Sequence, residues 1–207
     1  MRVDHLVYGV SDLDAAAKRF WDDFGLEALA QATHGELGTA NRIVPVGDGQ
    51  YVELFAVADP SNANPLVTML AEVLGAGDRF VGVCLEPDDF ESVATRLGET
   101  PMDGARHYDD GRAVHFRLVG LAGALLGPER LPFVIEWGEG REARLGERAP
   151  DHRVEPGGIA WVEVGATTER LHEWVGGDVP ALRAVGGSTP GPLRAAVRVD
   201  GAEVVIE

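Results

Sequence analysis

One cysteine, one lysine and four serines among 207 residues remove several chemistries before any motif is sought. Cys84 alone can form neither an intrachain disulfide nor a cysteine cage for zinc, and its setting in Phe80-Val81-Gly82-Val83-Cys84-Leu85 reads as a small core residue. With only Ser11, Ser61, Ser92 and Ser188, and no Gly-x-Ser-x-Gly elbow, a serine nucleophile has little to stand on. P-loop, His-Glu-x-x-His and dinucleotide glycine fingerprints are missing as well. Lys18 stands alone beside frequent arginine, a compositional skew that carries no chemistry. No apolar run approaches the length of a membrane span, and Met1-Arg2-Val3-Asp4-His5 lacks the basic segment and apolar stretch of a secretion signal. The sequence therefore predicts a cytoplasmic protein with no membrane partner.

Positive charge is scarce. Asp and Glu outnumber Lys and Arg by 34 to 18, and a net charge of −16 repels phosphate backbones, so nucleic acid is excluded as a partner. What is present in ordinary amount is core-forming material: 45% hydrophobic and 25% charged residues predict a chain folded over nearly its whole length. That length suits one large core or two to three small modules sharing one.

A repeated order of elements favours the modules. The first copy, residues 1–57, opens with the β-rich run Arg2 to Val10 and passes to a helix at Ser11-Asp12-Leu13-Asp14, where Ser11 and Asp14 resemble a capping box. Leu13, Ala17, Phe20, Trp21 and Phe24 share one helical face, and Gly25 ends the helix. Strands are expected over Glu27 to His34, Asn41 to Val46 and Tyr51 to Val57, the last two flanking the hairpin signal Gly47-Asp48-Gly49. A linker with a short helix near Leu66 to Leu74 fills 58–78. The second copy, 79–137, repeats the order: strand Phe80 to Leu85, a helix started by Pro87-Asp88-Asp89, then strands near Arg106 to Tyr108, Ala113 to Val119 and Pro132 to Trp137. A charged linker, 138–156, leads to a shorter third copy, 157–207, whose Val199-Asp200-Gly201 echoes the first hairpin. The predicted class is α+β, with repeated βαβββ modules forming a curved mixed sheet.

Asp4-His5-Leu6-Val7-Tyr8-Gly9-Val10-Ser11-Asp12-Leu13-Asp14 resembles the opening of glyoxalase-like proteins of the vicinal-oxygen-chelate superfamily. Gly38-Thr39-Ala40-Asn41 and Tyr51-Val52-Glu53-Leu54 resemble later signatures of that group, and Leu131-Pro132-Phe133-Val134-Ile135-Glu136-Trp137 is similar to a phrase of its longer members. The resemblance implies paired modules around a cleft, with metal ligands on the first and fourth strands of each module. Carried over, it makes His5 and Glu53 ligands from module one and Glu136 a ligand from module two. Aligning Asp12-Leu13 with Asp89-Phe90 sets Gly82 opposite His5, and glycine offers a metal nothing.

The residues themselves leave two readings open. A neutral imidazole with carboxylates suits zinc, manganese, iron(II) or nickel, and His34 or His115 would have to reach the cleft for a second imidazole. In that reading the protein is a metal-dependent lyase, isomerase or dioxygenase of a small oxygenated substrate, with Glu53 or Glu136 moving a proton. In the other, no metal is used: His5 and Glu53 hydrogen-bond to each other, Glu136 pairs with Arg117, and an aromatic cleft sequesters a small molecule. Substrate contacts are expected from Asn41, Tyr51, Phe55, His115, Arg117 and Trp137. His107, His152 and His172, beside charged neighbours, read as solvent-facing. A homodimer through the third module is one assembly open to such a chain.

Overall fold

The first strand is apolar on both faces because both are covered, so a strict polar alternation is absent from it. It is β1 (Arg2–Gly9), and it leads through Asp12 into α1 (Leu13–Phe24), then β2 (Ala32–His34), β3 (Thr39–Gly47), β4 (Gln50–Val57) and α2 (Pro65–Leu74). The chain continues as β5 (Arg79–Glu86), α3 (Phe90–Leu97), β6 (Met102–His107), β7 (Ala113–Val119), α4 (Leu121–Leu126) and β8 (Phe133–Trp137). A third run follows: β9 (Pro156–Gly165), α5 (Thr168–Val175), β10 (Leu182–Ala184), β11 (Gly191–Val199) and β12 (Ala202–Ile206). The computed structural model describes residues 1–108, 111–148 and 150–207, so the expected linker at 138–156 lies outside them at one position, residue 149.

Side-chain caps start the three repeated helices. Asp12 accepts from the backbone N–H groups of Asp14 and Ala15, Asp89 from that of Ser92, and Thr167 from that of Arg170. Ser11, expected to cap α1, instead donates through its backbone N–H and its hydroxyl to Asp78. Glycines at positive φ end the same helices, at Gly25, Gly98 and Gly176. Both Asp-Gly hairpins turn with positive φ at both positions, 54° and 70° at Asp48-Gly49 and 50° and 78° at Asp200-Gly201, the geometry that matches strand twist.

Among the described residues the main sheet has the order β2-β3-β4-β1-β5-β8-β7-β6. Strand β1 runs parallel to β4 and antiparallel to β5, and β5 runs parallel to β8, so two βαβββ halves meet through their first strands. Val7 lies opposite Gly82 and His5 opposite Cys84, and exchanging the halves carries His5 onto Gly82. Across the parallel pairs Val7 faces Glu53 and Cys84 faces Phe133, and the same exchange carries Glu53 onto Phe133. The mixed sheet curls as a half-barrel, which is the α+β vicinal-oxygen-chelate architecture read from the sequence.

The third run repeats the element order with a different pairing. Its sheet is β10-β9-β11-β12, in which the first strand pairs with the second and third, whereas in each half the first strand pairs with the fourth. This small sheet packs, with α1, on the convex face of the main one, where Leu6, Phe20, Val44 and Leu54 meet Val162, Val164 and Val197 in one buried cluster. Gln50 stitches the two sheets: its amide donates to the Val3 carbonyl at 2.7 Å and its oxygen accepts from the Ile159 N–H at 2.7 Å. Two expectations need correction, and one element was not foreseen. Strand β2 is three residues long, not the eight of 27–34; β6 begins at Met102, ahead of the expected Arg106; and the six-residue α4 had no sequence signal beyond its apolar run.

Candidate functional site

The concave face of the main sheet holds a cleft of about 520 Å³. Both edge strands reach it, with His34 from β2 and Met102, Arg106 and His107 from β6 lining the same space as Val7 and Phe133 at the centre. Most of the wall is apolar: Phe55, Phe116, Leu118, Ile135 and Trp137 contribute from both halves. A second depression of about 650 Å³ lies by the Gly47 hairpin against His152 and Glu155; it is more open and gathers no buried polar cluster.

At the polar end a bulge in β1 between Val3 and His5 places Asp4 and His5 together, although neighbours on a regular strand point apart. Asp4 is fully buried and accepts from His5 Nδ1 at 2.6 Å and from the Trp137 indole N–H at 2.8 Å, with Arg144 at 3.9 Å. Burial alone would raise its carboxyl; the bonds from His5 and Trp137 and the Arg144 charge outweigh that and hold it below the usual value. His5 stacks on Tyr51 with ring centroids 4.4 Å apart and meets Phe133 edge-on at 5.5 Å. Burial, followed by the charges of Asp4 and Glu53, pushes the Tyr51 hydroxyl well up, so it stays protonated. One strand further on, the Asn41 amide donates to Glu53 Oε1 at 2.6 Å. The Asn41 carbonyl oxygen is buried and has no partner, and so is the Thr39 hydroxyl two residues before it.

A profile of the glyoxalase-like domain matches residues 3–177. The chain belongs to that family. As a glyoxalase-like protein of the vicinal-oxygen-chelate superfamily it resembles, in fold, a hypothetical protein from Staphylococcus aureus: 16% identity, 100% of this chain and 98% of that one, TM-score 0.65. It also aligns with methylmalonyl-CoA epimerase from Mycobacterium tuberculosis (18% identity, 65% and 85% of the two chains, TM-score 0.42). A Streptomyces coelicolor methylmalonyl-CoA epimerase in complex with 2-nitronate-propionyl-CoA aligns at 15% identity over 72% and 99% of the chains, TM-score 0.45. No curated protein sequence matches the chain. At these identities the likeness is one of fold.

Among the residues singled out in this glyoxalase-like chain, His5, Asn41, Tyr51, Glu53, Phe55 and Trp137 line the cleft. Glu136, His115 and Arg117 do not. Trp137 takes the cleft face of β8, so its neighbour Glu136 points the other way, where Arg117 Nε and Nη2 hold it at 2.8 and 2.5 Å and Glu91 of α3 joins at 2.7 Å. His115 alternates with Arg117 onto that same outer face and is exposed. His5 and Glu53 do not bond each other: Asp4 and Asn41 are their partners. Sequence reasoning missed Asp4, whose only signal was an acid inside an apolar strand. It also missed Arg144, 4% exposed, which bonds Glu147 at 2.8 Å and Glu86 at 3.4 Å from within the stretch read as a charged linker. Of the histidines read as solvent-facing, His172 pairs with Asp178 in the open, His107 lines the cleft mouth, and His152 is half-buried, accepts from the Glu27 N–H, and is held below its usual value by burial.

The metal set that the superfamily implies does not fit this chain. Exchange of the halves puts Gly82 and Phe133 at the positions of His5 and Glu53, so two of four ligand positions hold no donor. Among the described residues Asp4, His5 and Cys84 are the one group of metal-ligating atoms within 4.8 Å of one another. Two ligands of a tetrahedral ion with bonds near 2.0 Å stand about 3.3 Å apart, whereas His5 Nδ1 and the Asp4 oxygen it meets are 2.6 Å apart as a hydrogen bond, so those two atoms do not hold one ion together. Burial, with the nearby carboxylates, also pushes the Cys84 thiol well up, away from the thiolate a metal would take.

Proposed function

We propose that this glyoxalase-like protein binds a small, mainly apolar molecule in the concave cleft without a divalent metal, as in the sequestering reading of the sequence. The observation that carries this is the occupation of two of the four ligand positions by Gly82 and Phe133, neither of which offers a donor. A pocket of this kind gains affinity from aromatic and aliphatic area and uses a few fixed polar groups for orientation. The Trp137, Phe55 and Phe116 rings supply the area, and Trp137 is held in place by its bond to Asp4.

Two measurements test it. Calorimetric titration of zinc, manganese, nickel and iron(II) at neutral pH should give no binding that His5→Ala removes. The neutral probe 4-phenylbutan-1-ol, followed by NMR of the labelled protein, should shift the amide signals of Asn41, Glu53 and Phe116, and Glu136→Gln should leave its affinity unchanged. Stoichiometric metal binding lost in His5→Ala would return the chain to the metal-dependent lyase, isomerase or dioxygenase reading.

A further inference from the structure

The polar end of the cleft is made of hydrogen-bond acceptors on adjoining strands. Asn41 is 3% exposed and spends its amide on Glu53 Oε1, which leaves its own carbonyl oxygen buried with no donor to meet it. A buried oxygen in that state costs folding free energy until something supplies an N–H or O–H. Glu53 keeps its second oxygen without a hydrogen bond among the described residues. His5, on the next strand, donates its Nδ1–H to Asp4, and in the neutral tautomer that this bond selects Nε2 carries a lone pair.

We propose that this end of the cleft takes the protonated primary amine of a ligand whose body is apolar; the inference rests on the metal-free reading above. An ammonium brings three donors and no acceptor, the complement of an unpartnered carbonyl, a carboxylate oxygen and an imidazole lone pair. Charge agrees with geometry. The chain carries −16, and no basic side chain pairs with Glu53 among the described residues. Among the described residues Arg106 is the one arginine lining the cleft; it stands on edge strand β6, with its guanidinium 5.7 Å from the centre of the Tyr108 ring, and its charge reaches the Tyr51 hydroxyl, so it opposes a cation there. Phe55 and Trp137 complete the fit, since aromatic faces accept both an apolar body and a nearby cation.

The test compares three probes that share one body: 4-phenylbutylamine, 4-phenylbutan-1-ol and 4-phenylbutanoate, at pH 7 and low salt. The amine should bind at least about tenfold more tightly than the other two, as a charge-assisted bond outweighs a neutral one. Glu53→Gln, which keeps the shape and the acceptor for Asn41, should bring the amine down to the alcohol's level and leave the alcohol within about twofold. Asn41→Leu, which removes both the unpartnered oxygen and the amide that holds Glu53, should weaken the amine and spare the alcohol. Arg106→Gln, by removing the opposing cation, should strengthen the amine. Carboxylate binding as tight as the amine's, or an amine preference that survives Glu53→Gln, overturns the inference while alcohol binding keeps the cleft reading standing. No binding by any of the three overturns both.

Discussion

Replacing Asp4 by asparagine changes one buried group from a charged double acceptor to a neutral amide of the same shape. Wild-type Asp4 accepts from His5 Nδ1 at 2.6 Å and from the Trp137 indole at 2.8 Å. The asparagine oxygen can serve one of these donors, and its NH₂ then faces the other. A hydrogen bond to a charged group contributes about 1.5–3 kcal/mol, so losing one and weakening the second costs about 3 kcal/mol. Arg144 loses a counter-charge at 3.9 Å but keeps Glu147 and Glu86, which limits the cost to that range. For a chain of this size each kcal/mol moves the melting temperature by about 2–4 °C, so Asp4→Asn should melt about 6–12 °C lower at pH 7. The pH dependence supplies the sign. A carboxyl held below its ordinary value contributes stability that is complete above that value, about 3.9, and is lost as pH falls through the depressed one. Urea denaturation of both proteins should give a constant difference from pH 7 to about 5 and a shrinking one below about 4. A difference under about 0.5 kcal/mol at pH 7, or one that grows on acidification, would refute the account of Asp4 as a bonded anion.

Gln50→Leu leaves the Val3 carbonyl and the Ile159 N–H without their bonds, and at about 1–3 kcal/mol for each buried group it should destabilise by about 2–6 kcal/mol in urea and speed exchange of the Ile159 amide; a loss under about 0.5 kcal/mol would show that the two sheets do not depend on it. Gly104→Val puts a Cβ 2.3 Å from the Phe116 ring, so the ring must turn toward the cleft and 4-phenylbutan-1-ol should bind at least about tenfold more weakly, with little change in melting because Gly104 lies on an edge strand; an unchanged affinity would place the probe elsewhere.

Periodicity and caps made the halves legible, because Asp12 and Asp89 start equivalent helices and the strands between them alternate with short turns. Placement of His5 and Glu53 on the cleft face came from the family resemblance, which sets both on neighbouring strands; what they do there is a separate question. The sequence misled where two neighbours compete for one face. Glu136 and Trp137 are adjacent on β8, and no pattern in one sequence says which turns inward; the register of Cys84 with Phe133 decides it. Asp4 escaped notice for the opposite reason, since alternation sends it away from His5 and only the bulge brings them together. The third run was legible as an order of elements but not as a pairing, because order does not say which strands become neighbours.

The two halves of the main sheet contribute unequally to the cleft. Every acceptor at the polar end, Asn41, Glu53 and His5, comes from the first half, while Phe116, Phe133, Ile135 and Trp137 come from the second. Two halves of the same strand order thus carry different duties. The polar head and most of the aromatic wall of the cleft therefore sit on different halves of one sheet, with Phe55 and Tyr51 the first half's share of the wall.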